Sequence, residues 1–199
     1  MIGLSDTEKM AVLSNAVGLD WHEQFIESIA AIVKPKVYVE LGLYKCTLFN
    51  RIIPYAQQLI GLDINPNSRT YMQKSSKTRF IYADTKAFAQ YLTNNPIEID
   101  MLFIDADHSK QAVEEDFLAY FPFVVPHGLI LLHDSYPKDL EQTNPGYCGD
   151  GYLAIEKLSH RTDDYEMMTI PVPPGLTLCR KRKSQLAWQD NKIVSECSC

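Results

Sequence analysis

Short apolar runs separated by stretches of helical spacing set the rhythm of this chain. The runs are VYVEL at 37–41, LIGLDI at 59–64, RFIYA at 79–83, IDMLFIDA at 99–106 and LILLH at 129–133. Segments this brief and this apolar suit strands buried on both faces, which implies a parallel sheet covered by helices on each side. The intervening segments carry helix signals. Asn65-Pro66 offers an N-cap followed by proline at the first helical position. Asp84-Thr85 can cap a segment holding Phe88, Tyr91 and Leu92. Val113, Phe117, Phe121 and Val124 recur at intervals of four, four and three as one apolar stripe, and Pro126-His127-Gly128 is expected to turn the chain back. Alternating strands and helices predict a doubly wound α/β fold with right-handed crossovers.

The two ends depart from this rhythm. Ser5-Asp-Thr-Glu8 and Asp20-Trp-His-Glu23 resemble capping boxes, so residues 1–35 are read as N-terminal helices. In the second, Phe25, Ile29, Ile32 and Val33 are expected to face the core, and Pro35 stops the helix. Near the other end, strand-like YEMMTIPV at 165–172 and LTLCRK at 176–181 are joined only by Pro173-Pro174-Gly175. That link is too short for a helical crossover, so these two strands should pair antiparallel. The fold class is therefore α/β, a Rossmann-like, doubly wound, mostly parallel seven-stranded sheet with an antiparallel C-terminal hairpin. One domain is expected over 1–183, followed by a tail over 184–199. The aperiodic stretch from Asp134 to Gly149 has the length of a lid or binding loop.

Composition narrows the function. A formal net charge of −6 disfavours general nucleic-acid binding, which needs a basic face. The run Arg180-Lys181-Arg182-Lys183 is read as a solvated strand end. No apolar run has membrane-spanning length and no signal-like segment leads the chain, so a cytoplasmic protein without membrane partners is expected. The five cysteines, Cys46, Cys148, Cys179, Cys197 and Cys199, are odd in number and irregular in spacing, which favours reduced thiols over a disulfide framework.

Each of the five parallel strands ends on or beside an acid: Glu40, Asp63, Asp84, Asp105 and Asp134. Carboxyl ends of parallel strands share one edge, where α/β folds bind ligands. Clustered carboxylates repel one another and would repel a pyrophosphate, and the turn at 42–47 lacks the glycines of a GxGxxG loop. Asp63 lies one βαβ spacing beyond Gly42, where an acid reaches ribose hydroxyls. The inferred cofactor is a cationic nucleoside without phosphate.

Glu40-Leu-Gly42, Gly61-Leu-Asp63 and Tyr82-Ala-Asp84 resemble the first three motifs of class I S-adenosylmethionine-dependent methyltransferases. Phe103-Ile-Asp105-Ala-Asp107-His108-Ser109 and Gly128 to Asp134 resemble those of small O-methyltransferases, including cephalosporin-hydroxylase-like and sugar O-methyltransferase-like members. The resemblance spans about residues 20–181 and implies S-adenosylmethionine-dependent O-methylation of a small hydroxylated acceptor. It assigns Glu40, Gly42, Leu43 and Tyr44 to the methionine-side turn, Asp63 to the ribose, and Asp84 with Thr85 to the adenine. Asp105 would lie at the methyl-transfer centre. His108 would act beside it as a neutral general base. A divalent cation, magnesium or another, would be held by Asp105, His133 and Asp134, with histidine replacing an acid at 133. Cys46, at the place of the family's second glycine, would narrow the cofactor's approach. Two other readings remain open at this stage: a non-catalytic binding or assembly module, and a nicotinamide-dependent oxidoreductase. A homo-oligomer is also expected.

Overall fold

A computed structural model of the chain describes residues 20–160, 163–186 and 189–190. The capping box at Ser5–Glu8, with the helix it would begin, and the terminal Cys197 and Cys199 lie outside the described residues. Seven strands form one sheet in the order β3-β2-β1-β4-β5-β7-β6. They are β1 (Val37–Leu41), β2 (Gln58–Asp63), β3 (Thr78–Tyr82), β4 (Ile99–Ile104), β5 (Val124–His133), β6 (Tyr165–Ile170) and β7 (Leu176–Lys181). β1 to β5 run parallel, while β7 is antiparallel to both β5 and β6, as the Pro-Pro-Gly link requires.

The strands alternate side chains between two apolar layers. Val39 and Leu41 join the cluster under α3 (Thr85–Asn94), α4 (Lys110–Tyr120) and α5 (Tyr152–Ser159). Tyr38 faces the opposite layer, built with α1 (Trp21–Val33) and α2 (Thr47–Ile52). Burial on both faces explains why the strands read as continuous apolar runs.

Several local expectations are corrected. Helix α1 buries Trp21, Ile26 and Ala30, while Phe25, Ile32 and Val33 are exposed. Of the four residues expected to face the core only Ile29 packs against it, and the core-facing stripe includes the small Ala30. Asp20 caps α1 through its backbone carbonyl, and its carboxylate instead meets Gln24 and Arg51. In α4 the buried stripe is Val113, Phe117 and Tyr120; Phe121 and Val124 lie beyond its end. Pro126-His127-Gly128 does not precede β5 but sits within it as a bulge: between the Ile99–Val124 and Met101–Leu129 pairs one residue of β4 stands against four of β5, and His127 adopts a φ of 64°. Helix α5 was absent from the sequence reading.

The basic run at 180–183 is not simply solvated. Arg180 pairs with Glu166 and hydrogen-bonds His127, whose Nε2 meets Asp190 Oδ2 at 2.7 Å. Lys181 Nζ donates to the carbonyls of Phe121 and Val124 at 3.0 and 2.7 Å. Part of the segment read as a tail thus closes against the β5 bulge. Cys46, Cys148 and Cys179 are buried free thiols.

Candidate active site

The carboxyl ends of the strands open into a cavity of about 640 Å³, within the range typical of small-molecule sites. Its wall contains Glu40, Gly42, Leu43, Tyr44, Asp63, Asp84, Thr85 and Asp105. All eight residues expected around the cofactor are brought together, with His22 and Glu23 of α1 added to them. The strand order spreads the acids along the edge. From β3 to β4 there are three strand intervals of about 4.8 Å, so Asp84 and Asp105 bound a trough roughly 14 Å long.

The turn after β1 is built by alternating left-handed residues: Gly42 at φ 85°, Tyr44 at 45° and Cys46 at 55°. A Cβ at Gly42 would lie 2.1 Å from the Asp105 carbonyl oxygen, so glycine here lets the turn touch the strand-β4 exit. Asp63 secures the turn. Its Oδ2 accepts from Leu43 N (3.1 Å), Tyr44 N (2.9 Å) and Ser68 Oγ (2.8 Å), and its Oδ1 from Asn65 N (2.7 Å). One oxygen is saturated and the other retains acceptor capacity toward the cavity. Asp63 is thus a structural clasp as well as a cavity carboxylate.

Cys46 does not narrow that cavity. Its side chain is fully buried beneath the turn, donates to the Ser68 carbonyl at 3.3 Å, and is not part of the cavity wall. Burial pushes its thiol up to about 12. The feature that favoured a non-catalytic module therefore loses its physical basis.

Glu40 is almost completely buried and accepts from Tyr38 Oη at 2.5 Å; burial raises its carboxyl well above the usual range. Asp84 caps α3 by accepting from Ala87 N at 2.6 Å, so its helix-capping and cavity-lining positions coexist. The Thr85 carbonyl accepts from Tyr120 Oη at 2.7 Å.

At the β4–β5 end, two aspartates and two histidines interlock. His108 Nδ1 lies 2.8 Å from Asp134 Oδ2 and 2.8 Å from the Tyr147 carbonyl, while its Nε2 lies 3.5 Å from Asp105 Oδ1. His133 Nδ1 lies 2.9 Å from Asp105 Oδ1 and 3.5 Å from Asp134 Oδ1. Contacts with Asp105 and Asp134 push His108 up to about 11. Burial opposes the charge on His133, yet the same two carboxylates outweigh it and raise that imidazole to about 10. The carboxyls of Asp105 and Asp134 are correspondingly held below their usual range by the histidines, despite burial. His108 therefore does not match the neutral base expected from sequence: in this arrangement it is an imidazolium at neutral pH.

The stretch from 134 to 149 is tied to this cluster rather than free above it. Besides Tyr147, Gly151 N donates to the His108 carbonyl at 2.8 Å and Lys110 N to Asp150 Oδ1 at 2.6 Å. Gly149, at φ 62°, passes so close that a Cβ would lie 2.4 Å from that carbonyl.

The donor set fits a divalent cation, with a change of membership. Asp105, His108 and Asp134 offer ligand atoms that all lie within 4.8 Å of one another. His108 stands in this group where the sequence placed His133, whose Nδ1 lies on Asp105 and whose Nε2 is buried without a partner. The Tyr147 carbonyl fixes the His108 ring, as outer partners commonly do for ligating histidines. A ligating His108 must be unprotonated, so cation and proton are alternatives at this position.

His22 and Glu23 had no signal in the sequence beyond a capping pattern. The His22 ring packs on His133 with centroids 4.1 Å apart. Burial, then the positive charge of His133, pushes His22 down to about 4. Burial raises the Glu23 carboxyl.

Residues 39–135 match a family described as "Methyltransferase domain". The seven-stranded sheet with its antiparallel last pair is the α/β Rossmann-like methyltransferase fold, and the matched stretch over β1 to β5 resembles a methyltransferase domain. The chain is similar to an O-methyltransferase from Bacillus cereus solved in complex with SAH, at 13% identity, covering 92% of this chain and 93% of that one, with a TM-score of 0.70. It is similar to the O-methyltransferase TomG of Streptomyces achromogenes, involved in tomaymycin synthesis and solved with SAM, at 13% identity, 92% of each chain and a TM-score of 0.68. A third similar structure is the SAH-bound methyltransferase PaMTH1 of Podospora anserina, at 16% identity, 91% of this chain and 90% of that one, with a TM-score of 0.65. A search of curated proteins gives no match. Among the described residues, no helix is long and apolar enough to cross a membrane.

Proposed function

We infer that the protein transfers the methyl group of S-adenosylmethionine to an oxygen of a small hydroxylated molecule. The observation that carries this reading is the convergence of eight motif residues on one cavity that ends at the Asp105–His108–Asp134 cluster. In it, Asp63 and Asp84 bind the nucleoside, while Gly42, Leu43 and Tyr44 form the floor beneath the methionine portion. S-adenosylmethionine, when bound, supplies a methyl group on a sulfonium centre. The chain's contribution is alignment of an acceptor oxygen with that carbon, which lowers the entropic part of the barrier.

Asp105 stands between the cofactor trough and the cluster, so it orients the acceptor hydroxyl. The acceptor's proton passes to the Asp105 carboxylate as the new C–O bond forms, while the His108 imidazolium, placed by Asp134 and the Tyr147 carbonyl, stabilises negative charge developing on the acceptor oxygen. If a divalent cation binds, Asp105, His108 and Asp134 hold it, and it supplies Lewis-acid acidification of the hydroxyl.

The test is transfer of labelled methyl from S-adenosylmethionine into pooled hydroxylated metabolites, with products checked for alkali-stable ethers. Incorporation should fall at least a hundredfold in Asp105→Asn. Label arising only on nitrogen or sulfur, or unchanged turnover in the variant, would contradict the assignment.

A further inference from the structure

Five buried side-chain polar atoms among the described residues lack a hydrogen-bond partner, and three of them converge beside Asp105. They are His22 Nδ1, Glu23 Oε2 and His133 Nε2. The His22 ring stacks on His133, which bonds Asp105, and Glu23 Oε2 lies 3.6 Å from Arg51 Nη1 without a hydrogen bond. Native proteins rarely leave buried polar atoms unpaired, and a cluster of them marks a place where something else binds.

A single ion does not explain this cluster. Among the described residues, the group of His, Cys, Asp and Glu whose ligand atoms lie within ion-binding reach is Asp105, His108 and Asp134, which includes neither His22 nor Glu23. The cofactor's expected partners lie elsewhere too, on the turn after β1 and at the ends of β2 and β3. What remains at the α1 wall is the acceptor.

The charge of the cavity adds a constraint. Its wall contains six acids, Glu23, Glu40, Asp63, Asp84, Asp105 and Asp107, against one lysine, Lys45. Lys45 extends over the exposed Tyr44 ring, 5.2 Å from its centroid. With Arg51 set against Glu23, the two imidazoliums against Asp105 and Asp134, and the Glu40 carboxyl raised by burial, Asp63, Asp84 and Asp107 still outnumber Lys45, so an acceptor bearing a carboxylate or phosphate would meet excess charge of its own sign. Glu23, whose carboxylate accepts hydrogen bonds, matches a donor on the acceptor.

We propose that helix α1 is the acceptor wall, with His22 and Glu23 as positioning residues that select an uncharged or cationic acceptor carrying a second hydrogen-bonding group. This rests on the methyltransferase reading, because it takes the rest of the cavity as cofactor space. Trp21 fixes the wall: its Nε1 donates to the Pro173 carbonyl at 3.0 Å, holding α1 against the hairpin link. Binding at α1 therefore uses a rigid element rather than a mobile lid.

The test is calorimetry on SAH-saturated protein with two matched probe pairs: methyl glucoside with methyl glucuronoside, and protocatechuyl alcohol with protocatechuate. In at least one pair the uncharged member should bind at least tenfold more tightly than its carboxylate twin. His22→Phe, which keeps the ring stack, and Glu23→Gln should each weaken that probe at least fivefold while SAH affinity changes less than twofold. Glu23→Gln should also shrink the discrimination against the carboxylate, which a merely structural role would not do. Equal or tighter binding of the carboxylate twins overturns the proposal. So do unchanged probe affinities in both variants, or no binding of any probe by protein that binds SAH. Failure to bind SAH at all would instead remove the methyltransferase reading.

Discussion

The two ends of the cavity are built differently. At the β1–β2 end, polar groups are already spent on one another: Asp63 alone accepts four hydrogen bonds that hold the turn. At the α1–β4–β5 end, ion pairs lie beside polar atoms with no partner. A prebuilt floor suits the part of a ligand that never changes, whereas unpaired groups are completed by a variable one. On the proposed reading, the contrast separates a rigid cofactor seat from a chemically demanding acceptor seat.

The largest expected effect breaks the rigid end. Gly42→Ala places a Cβ 2.1 Å from a backbone oxygen at a positive φ, and should cost more than about 3 kcal/mol of stability with loss of SAH binding. Denaturant unfolding and calorimetry check both. Asp63→Ala should follow: it orphans the turn's N–H groups, costing about 2–3 kcal/mol, and should weaken SAH at least a hundredfold. Retained SAH affinity in that variant would reduce Asp63 to a clasp alone.

The ionic end should reveal itself through pH. His108 is raised to about 11 from an ordinary 6.5, so its stabilisation is complete below about 6.5 and is lost as pH rises towards 11. Asp134 is depressed, so its contribution is present above about 4 and lost as pH falls below that. In metal-free protein the unfolding midpoint should therefore decline on both sides of a plateau between about pH 4 and 6.5. His108→Gln should flatten the alkaline limb, leaving the part due to His133. An unchanged alkaline limb in this variant would show that the ion pair contributes nothing to folding.

The smallest effect is expected at Cys46. Replacing it with glycine relieves a left-handed residue, worth about 1 kcal/mol, but removes a buried thiol of similar value. Stability should change by less than about 1 kcal/mol, and SAH affinity should not change, because the side chain lies outside the cavity wall. A clear affinity gain would return Cys46 to the cofactor's path.

What sequence could reveal follows the same division. The five parallel strands, the antiparallel hairpin and the acids at the strand ends were legible, because parallel burial and the short Pro-Pro-Gly link leave strong local signatures. The eight residues that line the cavity together were legible through motifs that are contiguous in the chain. The α1 side was not, since His22 reaches His133 only through the packing of α1 on β5. The charge of His108 was misread for a related reason: residue type alone suggests a neutral base, while two carboxylates arriving from β4 and β5 make it a cation. Helix α1 was placed only in part, Ile29 alone of its expected face packing on the core, because Ala30 carries little hydrophobic weight in a sequence pattern yet is fully buried.

The central claim, a cofactor seat ready for a sulfonium nucleoside, is tested most directly by calorimetric titration of the intact protein with SAH. The account predicts one site per chain with a dissociation constant on the order of 1–10 μM or tighter, about −7 to −8 kcal/mol. No measurable binding at millimolar SAH, with the protein folded, would contradict it.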